Sequence, residues 1–118
     1  MADNSIIFHM CAKNKWQAAV VKGIYEGSSQ DVADGFIHFS TADQVSESAA
    51  KHHTGQLGLV LLSVEVALLG NSLKWEKSRE GAFFPHLYGS LPLKAVVRED
   101  DLELGLDGRH EFPEELVR

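Results

Sequence analysis

The sequence predicts an α+β fold with a small, split and mostly antiparallel sheet and two short helices. Two observations carry this prediction: short apolar segments suit strands, and two stretches space their apolar residues as helices do. Turn-forming and polar residues separate these segments. Strands are predicted over residues 5–12, 36–40, 59–66, 73–75 and 93–99, with a last edge strand over 102–104. Polar loops are predicted over residues 27–34 and 76–82.

The two helices are predicted from their end signals. Asn14 suits the cap of a helix over residues 15–22, which a glycine follows. Thr41 and Gln44 have the spacing of a capping box, which predicts a second helix that starts at Thr41. Gly55 suits a left-handed stop at its far end.

Composition restricts the class of protein. The chain has 118 residues, 44% of them hydrophobic and 24% charged, which predicts a single soluble domain over 1–118. Its core is expected over about 5–105, followed by a polar tail over 109–118. The net charge of −6 argues against a nucleic-acid partner. The single Cys11 fits a reducing compartment, and no leader or membrane span is evident, so we expect a cytoplasmic location.

His38 is the most informative residue of the sequence. Strand alternation places Phe36, His38 and Ser40 on one face, so an imidazole and a hydroxyl lie side by side. The helix predicted to start at Thr41 would offer backbone donors and a partial positive charge to an anion. This combination predicts a ribose-phosphate site. The alternative is a core histidine bonded to backbone, with Thr41 acting only as a cap.

His9 and the segment over residues 83–89 extend this hypothesis. His9 lies within an apolar strand, where a histidine satisfied by core partners is the simpler interpretation. The segment over 83–89 is rich in aromatic residues and carries His86 and Tyr88. It would form either a pocket wall that hydrogen-bonds a ligand or a hydrophobic plug that seals the sheet.

Glu76 and Arg79 supply the remaining candidates. A carboxylate at the end of a strand could stabilise a developing cation or act as a general base, and Glu76 has this position. Arg79 could pair with a phosphate, although a solvated loop of mixed charge explains it as well. A metal-dependent enzyme that uses His9, His38 and His86 is a further hypothesis, although their spacing matches no recurrent ligand motif.

Two segments, residues 35–41 and 84–92, resemble an uncharacterised bacterial family catalogued as domain of unknown function 952. Members of that family resemble the ADP-ribosyltransferase fold, and the RNA 2′-phosphotransferases in particular. The resemblance implies that His9 and His38 hold the nicotinamide-ribose side of NAD, with Ser40 or Thr41 near a phosphate. Phe36 departs from the phosphotransferase pattern, because it stands where that strand motif has its first histidine.

The resulting hypothesis is an enzyme of ADP-ribosyl-transfer type that acts on NAD or a similar nucleotide. Its predicted catalytic residues are His38, Glu76 and His86, and its predicted ligand-binding residues are His9, Ser40, Thr41, Arg79 and Tyr88. A non-catalytic module that binds a small ligand or nucleotide is the main alternative.

Overall fold

A computed structural model describes residues 5–78 and 81–113. Within these ranges the chain forms six strands, three α-helices and three short 3-10 turns. The strands are β1 (Ile6–Ala12), β2 (Ile37–His38), β3 (Leu59–Glu65), β4 (Leu73–Lys77), β5 (Phe83–Leu87) and β6 (Val96–Leu102). The helices are α1 (Lys13–Lys22), α2 (Ser29–Asp34) and α3 (Val45–His52). The 3-10 turns are Val66–Leu68, Gly70–Ser72 and Leu93–Ala95.

The strands form two antiparallel sheets, ordered β1-β3-β6 and β2-β5-β4. A bridge between Phe8 of β1 and Ser40, just beyond β2, joins them. The backbone N–H of each residue donates to the carbonyl oxygen of the other at 2.8 Å. The predicted α+β class with antiparallel pairing is therefore confirmed, and the sheet is divided into two halves.

Two apolar clusters cover the two faces of the β1-β3-β6 sheet. Because side chains alternate along a strand, Ile7 and Cys11 of β1 enter one cluster, while Phe8 and Met10 enter the other. Trp16 of α1 packs into the first cluster. His9 is buried on the same side of β1 as Ile7 and Cys11, as strand alternation predicts.

The helix starts differ from the predictions. Helix α1 begins at Lys13 with Ala12 as its N-cap, so Asn14 lies inside the helix. Helix α3 begins at Val45, and a start at Thr41 was wrong. The Gln44 side chain does accept the Thr41 N–H at 3.0 Å, as in a capping box. Residues 42–44 form turns, so this capping box lies before the helix and not at its first turn.

Helix α2 occupies the segment that the sequence analysis assigned to a polar loop. Ser28 caps it: the Asp31 N–H donates to the Ser28 hydroxyl at 3.2 Å, and the Ser28 N–H donates to the Asp31 carboxylate at 2.8 Å. This is a capping box with aspartate in place of the usual glutamate or glutamine. The short polar helix has a weak apolar pattern, so its cap was its main signal.

The C-terminal strands are also shifted from their predicted positions. Residues 83–87 form strand β5, and β4 extends to Lys77, two residues beyond its predicted end. Leu93–Ala95 is a 3-10 turn, so β6 starts only at Val96. Leu104 is not in an edge strand; it forms a bridge with His110 in the predicted tail. The end of the predicted tail, residues 114–118, lies outside the described residues.

Candidate functional site

The β2-β5-β4 sheet collects polar side chains on one face. His38 of β2 is the direct cross-strand partner of His86 of β5, and Glu76 of β4 is paired with Phe84 of β5. Directly opposed residues of antiparallel strands point to the same face, and alternate residues share it, so these side chains lie together. The neighbouring pair of Ile37 and Leu87 points the other way and is buried in the core.

Phe36 brings the aromatic rings of this face together. Its ring centroid lies 4.2 Å from that of His86 in a stacked arrangement with an interplanar angle of 26°. The Phe36 centroid is also 4.6 Å from His38 and 5.2 Å from Tyr88. The two imidazole centroids are 5.4 Å apart. The structure thus unites the three predicted catalytic residues with Tyr88 in one cluster.

Glu76 is the acceptor at one end of this cluster. Its Oε1 atom accepts a hydrogen bond from His86 Nδ1 at 2.8 Å and another from the Tyr88 hydroxyl at 2.7 Å. These two bonds, the one from His86 first, lower the pKa of the Glu76 carboxyl. His86 Nε2 has no hydrogen-bonding partner among the described residues. In the neutral imidazole this nitrogen carries a lone pair and can take a proton.

His38 is held between two carboxylates at the other end. Its Nδ1 lies 2.5 Å from Asp31 Oδ1, and its Nε2 lies 3.1 Å from Asp34 Oδ2. Nδ1 donates to Asp31, and Nε2 lies at ion-pair distance from Asp34, so the two carboxylates favour the imidazolium form of the ring. The hydrogen bond to Asp31 raises the pKa of His38, and it outweighs the effect of partial burial.

Asp31 is the buried centre of the network behind His38. Besides the His38 ring, its carboxylate accepts the backbone N–H of Ser28 at 2.8 Å and that of His38 at 3.1 Å. Burial alone would raise the pKa of Asp31, but the hydrogen bond from the His38 ring, the electrostatic interaction with His9 and the backbone hydrogen bonds outweigh it and lower the pKa to about 2. A buried carboxylate with these donors fixes both the ring and the backbone of His38.

His9 lies behind the cluster and not on its surface. Its Nδ1 donates to the carbonyl oxygen of His38 at 2.7 Å, so Nε2 of the neutral ring accepts the Tyr25 hydroxyl, also at 2.7 Å. Burial lowers the pKa of His9, more than the Asp31 carboxylate raises it. The imidazole is 3.8 Å from Asp31. His9 therefore supports the site from the core, and both of its nitrogens are satisfied.

The predicted phosphate contacts are engaged within the protein. Ser40 is buried and its hydroxyl lies 2.9 Å from that of Ser48 on α3. The Thr41 N–H is taken by Gln44, so it is not the open helix-start donor that the sequence suggested. Arg79 lies outside the described residues. Within residues 5–78 and 81–113, no group of three His, Cys, Asp or Glu side chains is arranged to hold a metal ion.

Sequence reasoning missed the two aspartates and the role of Phe36. Asp31 and Asp34 were assigned to a polar loop, where a solvated carboxylate has no special meaning. The three-residue spacing of Ser28 and Asp31 was the signal that could have identified the helix, although not the burial of its carboxylate. Phe36 was placed on the face of His38 and noted as a departure from a histidine motif, but its contact with both imidazoles was not predicted.

Comparison with known proteins gives a family and a close structural match. The family model described as "Protein of unknown function (DUF952)" matches residues 10–99. No curated protein matches the chain. The crystal structure of protein CC0527 from Caulobacter crescentus has 48% sequence identity and a TM-score of 0.90, covering 96% of this chain and 99% of that one. Its solution NMR structure has 50% identity and a TM-score of 0.80, covering 89% and 90%.

No helix in the described part of the chain has both the length and the apolar character needed to cross a bilayer.

Proposed function

The chain belongs to the family of proteins of unknown function DUF952, and for this member we propose an ADP-ribosyl-transfer type of enzyme with NAD as its substrate. The observation that carries the proposal is the Glu76 carboxylate, which both His86 and Tyr88 orient on the polar face of the β2-β5-β4 sheet. A carboxylate held in this way can stabilise a positive charge that develops on a sugar ring.

The proposed reaction begins at the bond between nicotinamide and ribose. As this C–N bond breaks, its electron pair moves to the nicotinamide nitrogen and cancels the positive charge of that ring. The ribose carbon becomes cationic, and the ionised Glu76 lies ready to stabilise it. The lowered pKa of Glu76 suits this role, because it keeps the carboxylate ionised.

His86 would complete the transfer. An acceptor hydroxyl or water attacks the ribose carbon, a new C–O bond forms, and the acceptor proton moves to Nε2 of His86. Glu76 holds the other ring nitrogen, and Phe36 stacks on the ring plane, so the imidazole is restricted in direction. His38 is unsuited to this step, because a carboxylate lies against each of its ring nitrogens.

The arrangement of the sheets gives further support. Two three-stranded antiparallel sheets joined at one bridge resemble the split sheet of ADP-ribosyltransferases. Aromatic surface on the same face, from the half-buried Phe36 and the exposed Tyr88, suits the stacking of a planar ring. These features support a nucleotide ligand, and the identity of the acceptor is left to experiment.

Nicotinamide release from NAD tests the proposal directly. The purified protein is expected to release nicotinamide slowly, as measured by chromatography, and Glu76→Gln is expected to reduce the rate at least about a hundredfold. Glu26→Gln is the matched control, because Glu26 is exposed and forms an ion pair with Lys22 at 3.8 Å. No release by the wild-type protein, or equal rates in both variants, would contradict the proposal.

A non-catalytic nucleotide-binding module is the second candidate. It is favoured by the internal engagement of His9, Ser40 and Thr41, which leaves fewer groups to align a reacting ligand. Isothermal titration with ADP-ribose and NAD separates the two candidates. Saturable binding of both nucleotides without any nicotinamide release would select the binding module.

A further inference from the structure

We propose that the outward nitrogen of His38 is an anion-binding point, and that the Asp34 carboxylate occupies it until a phosphate oxygen of the ligand takes its place. This inference deepens the proposed function and rests on it, because the phosphate would belong to the nucleotide. It assigns distinct roles to three residues. His38 would contact the ligand, Asp31 would position His38, and Asp34 would compete with the ligand.

The direction of the His38 ring is fixed by its contacts. Asp31 is buried and accepts both the ring Nδ1 and the backbone N–H of His38, so ring and backbone are held by the same oxygen atom. His9 donates to the carbonyl oxygen of His38 from the core. All of these contacts lie on the inner side of His38, so Nε2 is directed toward the surface. The His38 side chain is 41% exposed.

The contact between Asp34 and His38 Nε2 is replaceable. Asp34 ends α2, its side chain is 37% exposed, and it lies 3.1 Å from His38 Nε2. Apart from this ion pair, its side chain accepts one hydrogen bond among the described residues, from the exposed side chain of Gln30 at 3.0 Å. An exposed ion pair of this kind contributes little to stability, so a rotation of Asp34 into solvent costs little.

The charges around His38 Nε2 favour an anionic ligand. Asp31 balances the imidazolium charge from the inside, so a vacated Nε2–H is a charged donor, which bonds an anionic acceptor more strongly than a neutral one. Asp34 already shows that an oxygen anion fits there. Of the neighbouring charged groups, Lys74 of β4 is the cross-strand partner of His86 and adds positive charge, whereas Glu76 disfavours a second negative charge close to it. A phosphate oxygen at the His38 end of the cluster, away from Glu76, meets these conditions.

A titration with inorganic phosphate at pH 6 tests the inference, with the His38 ring signals followed by NMR. Asp34→Asn removes the competing charge, and we expect it to bind phosphate about two- to fivefold more tightly than the wild type. His38→Gln is expected to lose the binding. Asp43→Asn is the matched control, since it removes the same charge from another exposed aspartate and should bind phosphate as the wild type does.

Equal affinities of the wild type and Asp34→Asn would overturn the inference, as would the absence of phosphate binding by either protein. Because Asp34 is exposed, this comparison remains decisive even if His38→Gln fails to fold. The assay contains no NAD and measures no turnover. Phosphate binding at His38 without nicotinamide release would therefore support the anion point and contradict the transfer reaction. Nicotinamide release without phosphate binding would support the transfer reaction and contradict the anion point.

Discussion

His38 and His86 are direct cross-strand partners with ring centroids 5.4 Å apart, yet their hydrogen bonds make them chemically different. His38 donates from Nδ1 to Asp31 and has Asp34 at ion-pair distance from Nε2, whereas His86 donates from one nitrogen to Glu76. Two carboxylates therefore favour the charged form of His38, while a single carboxylate contacts His86. A pair of titratable groups with such unlike surroundings is typical of acid-base sites.

The ionisation of His38 is expected to depend on its two aspartates. The hydrogen bond to Asp31 is the main cause that raises the pKa of His38. The ring should therefore remain protonated at a pH where a free histidine is neutral. Asp34→Asn should lower the pKa of His38 but leave it above its ordinary value, because the bond to Asp31 persists. The measurement is an NMR titration of the ring signals. An unchanged titration in Asp34→Asn would contradict the contact between Nε2 and Asp34.

Asp31 is expected to stabilise the fold in a pH-dependent way. Its pKa is about 2 in the folded protein and about 3.9 in an unfolded chain, so its ionised form favours folding. This contribution is fully present above about pH 4 and is lost as the pH falls toward 2. We expect Asp31→Asn to reduce the free energy of unfolding at pH 7 by roughly 2–4 kcal/mol, because it disturbs a buried charged network.

Urea denaturation at several pH values checks this expectation. The difference between the wild type and Asp31→Asn should shrink between about pH 4 and pH 2. Asp43→Asn serves as the control, with a change of less than about 0.5 kcal/mol for an exposed position. A difference that stays constant as the pH falls would show that Asp31 stabilises the protein without its charge.

Gly27 is expected to be intolerant of a side chain. Its φ of +100° suits glycine, and an added Cβ would approach the Asp31 Cβ to 2.7 Å and a carboxylate oxygen of Asp31 to 2.9 Å. Gly27→Ala should therefore destabilise the protein by about 1–3 kcal/mol and shift the His38 titration toward its ordinary range. Gly23→Ala has a similar φ of +93° but open space around it, so it should leave the His38 titration unchanged.

Tyr88→Phe is expected to affect Glu76 and leave the fold intact. The change removes one of the two hydrogen bonds to Glu76 Oε1, so the pKa of Glu76 should rise toward its ordinary value, while the bond from His86 keeps it partly lowered. Carboxyl carbon NMR measures this shift, and nicotinamide release should fall several-fold in parallel. A fall in release without any shift of Glu76 would point to a direct contact between Tyr88 and the ligand.

Much of the fold was predictable because the strongest signals are local. The apolar runs of β1 and β3 and the glycine that ends α1 are properties of short segments, and they were placed correctly within a few residues. Helix α2 was missed, since a short polar helix capped by Ser28 has little apolar periodicity. The start of α3 was misplaced because Gln44 bonds Thr41 in a turn that precedes the helix.

The candidate site was predictable in part for the same reason. His38, His86, Glu76 and Tyr88 stood out as polar groups near strands, and strand pairing then brought them together. Asp31 could not be identified, because its burial arises from the packing of α2 against β2. The expected anion donor at Thr41 depended on where a helix begins, and that is among the least certain features of a sequence.

The bridge between Phe8 and Ser40 has a consequence for how the molecule opens. The bridge is only part of the junction between the sheets, because His9 donates to the His38 carbonyl oxygen and Ile37 shares an apolar cluster with Ile7. We expect the β2-β5-β4 half to open as a unit, since its strands pair with one another. A ligand seated there should slow hydrogen exchange at the amides of β2 and β5 and leave β3 unaffected. Amide protection would thus report occupancy of the cluster even before the ligand is known.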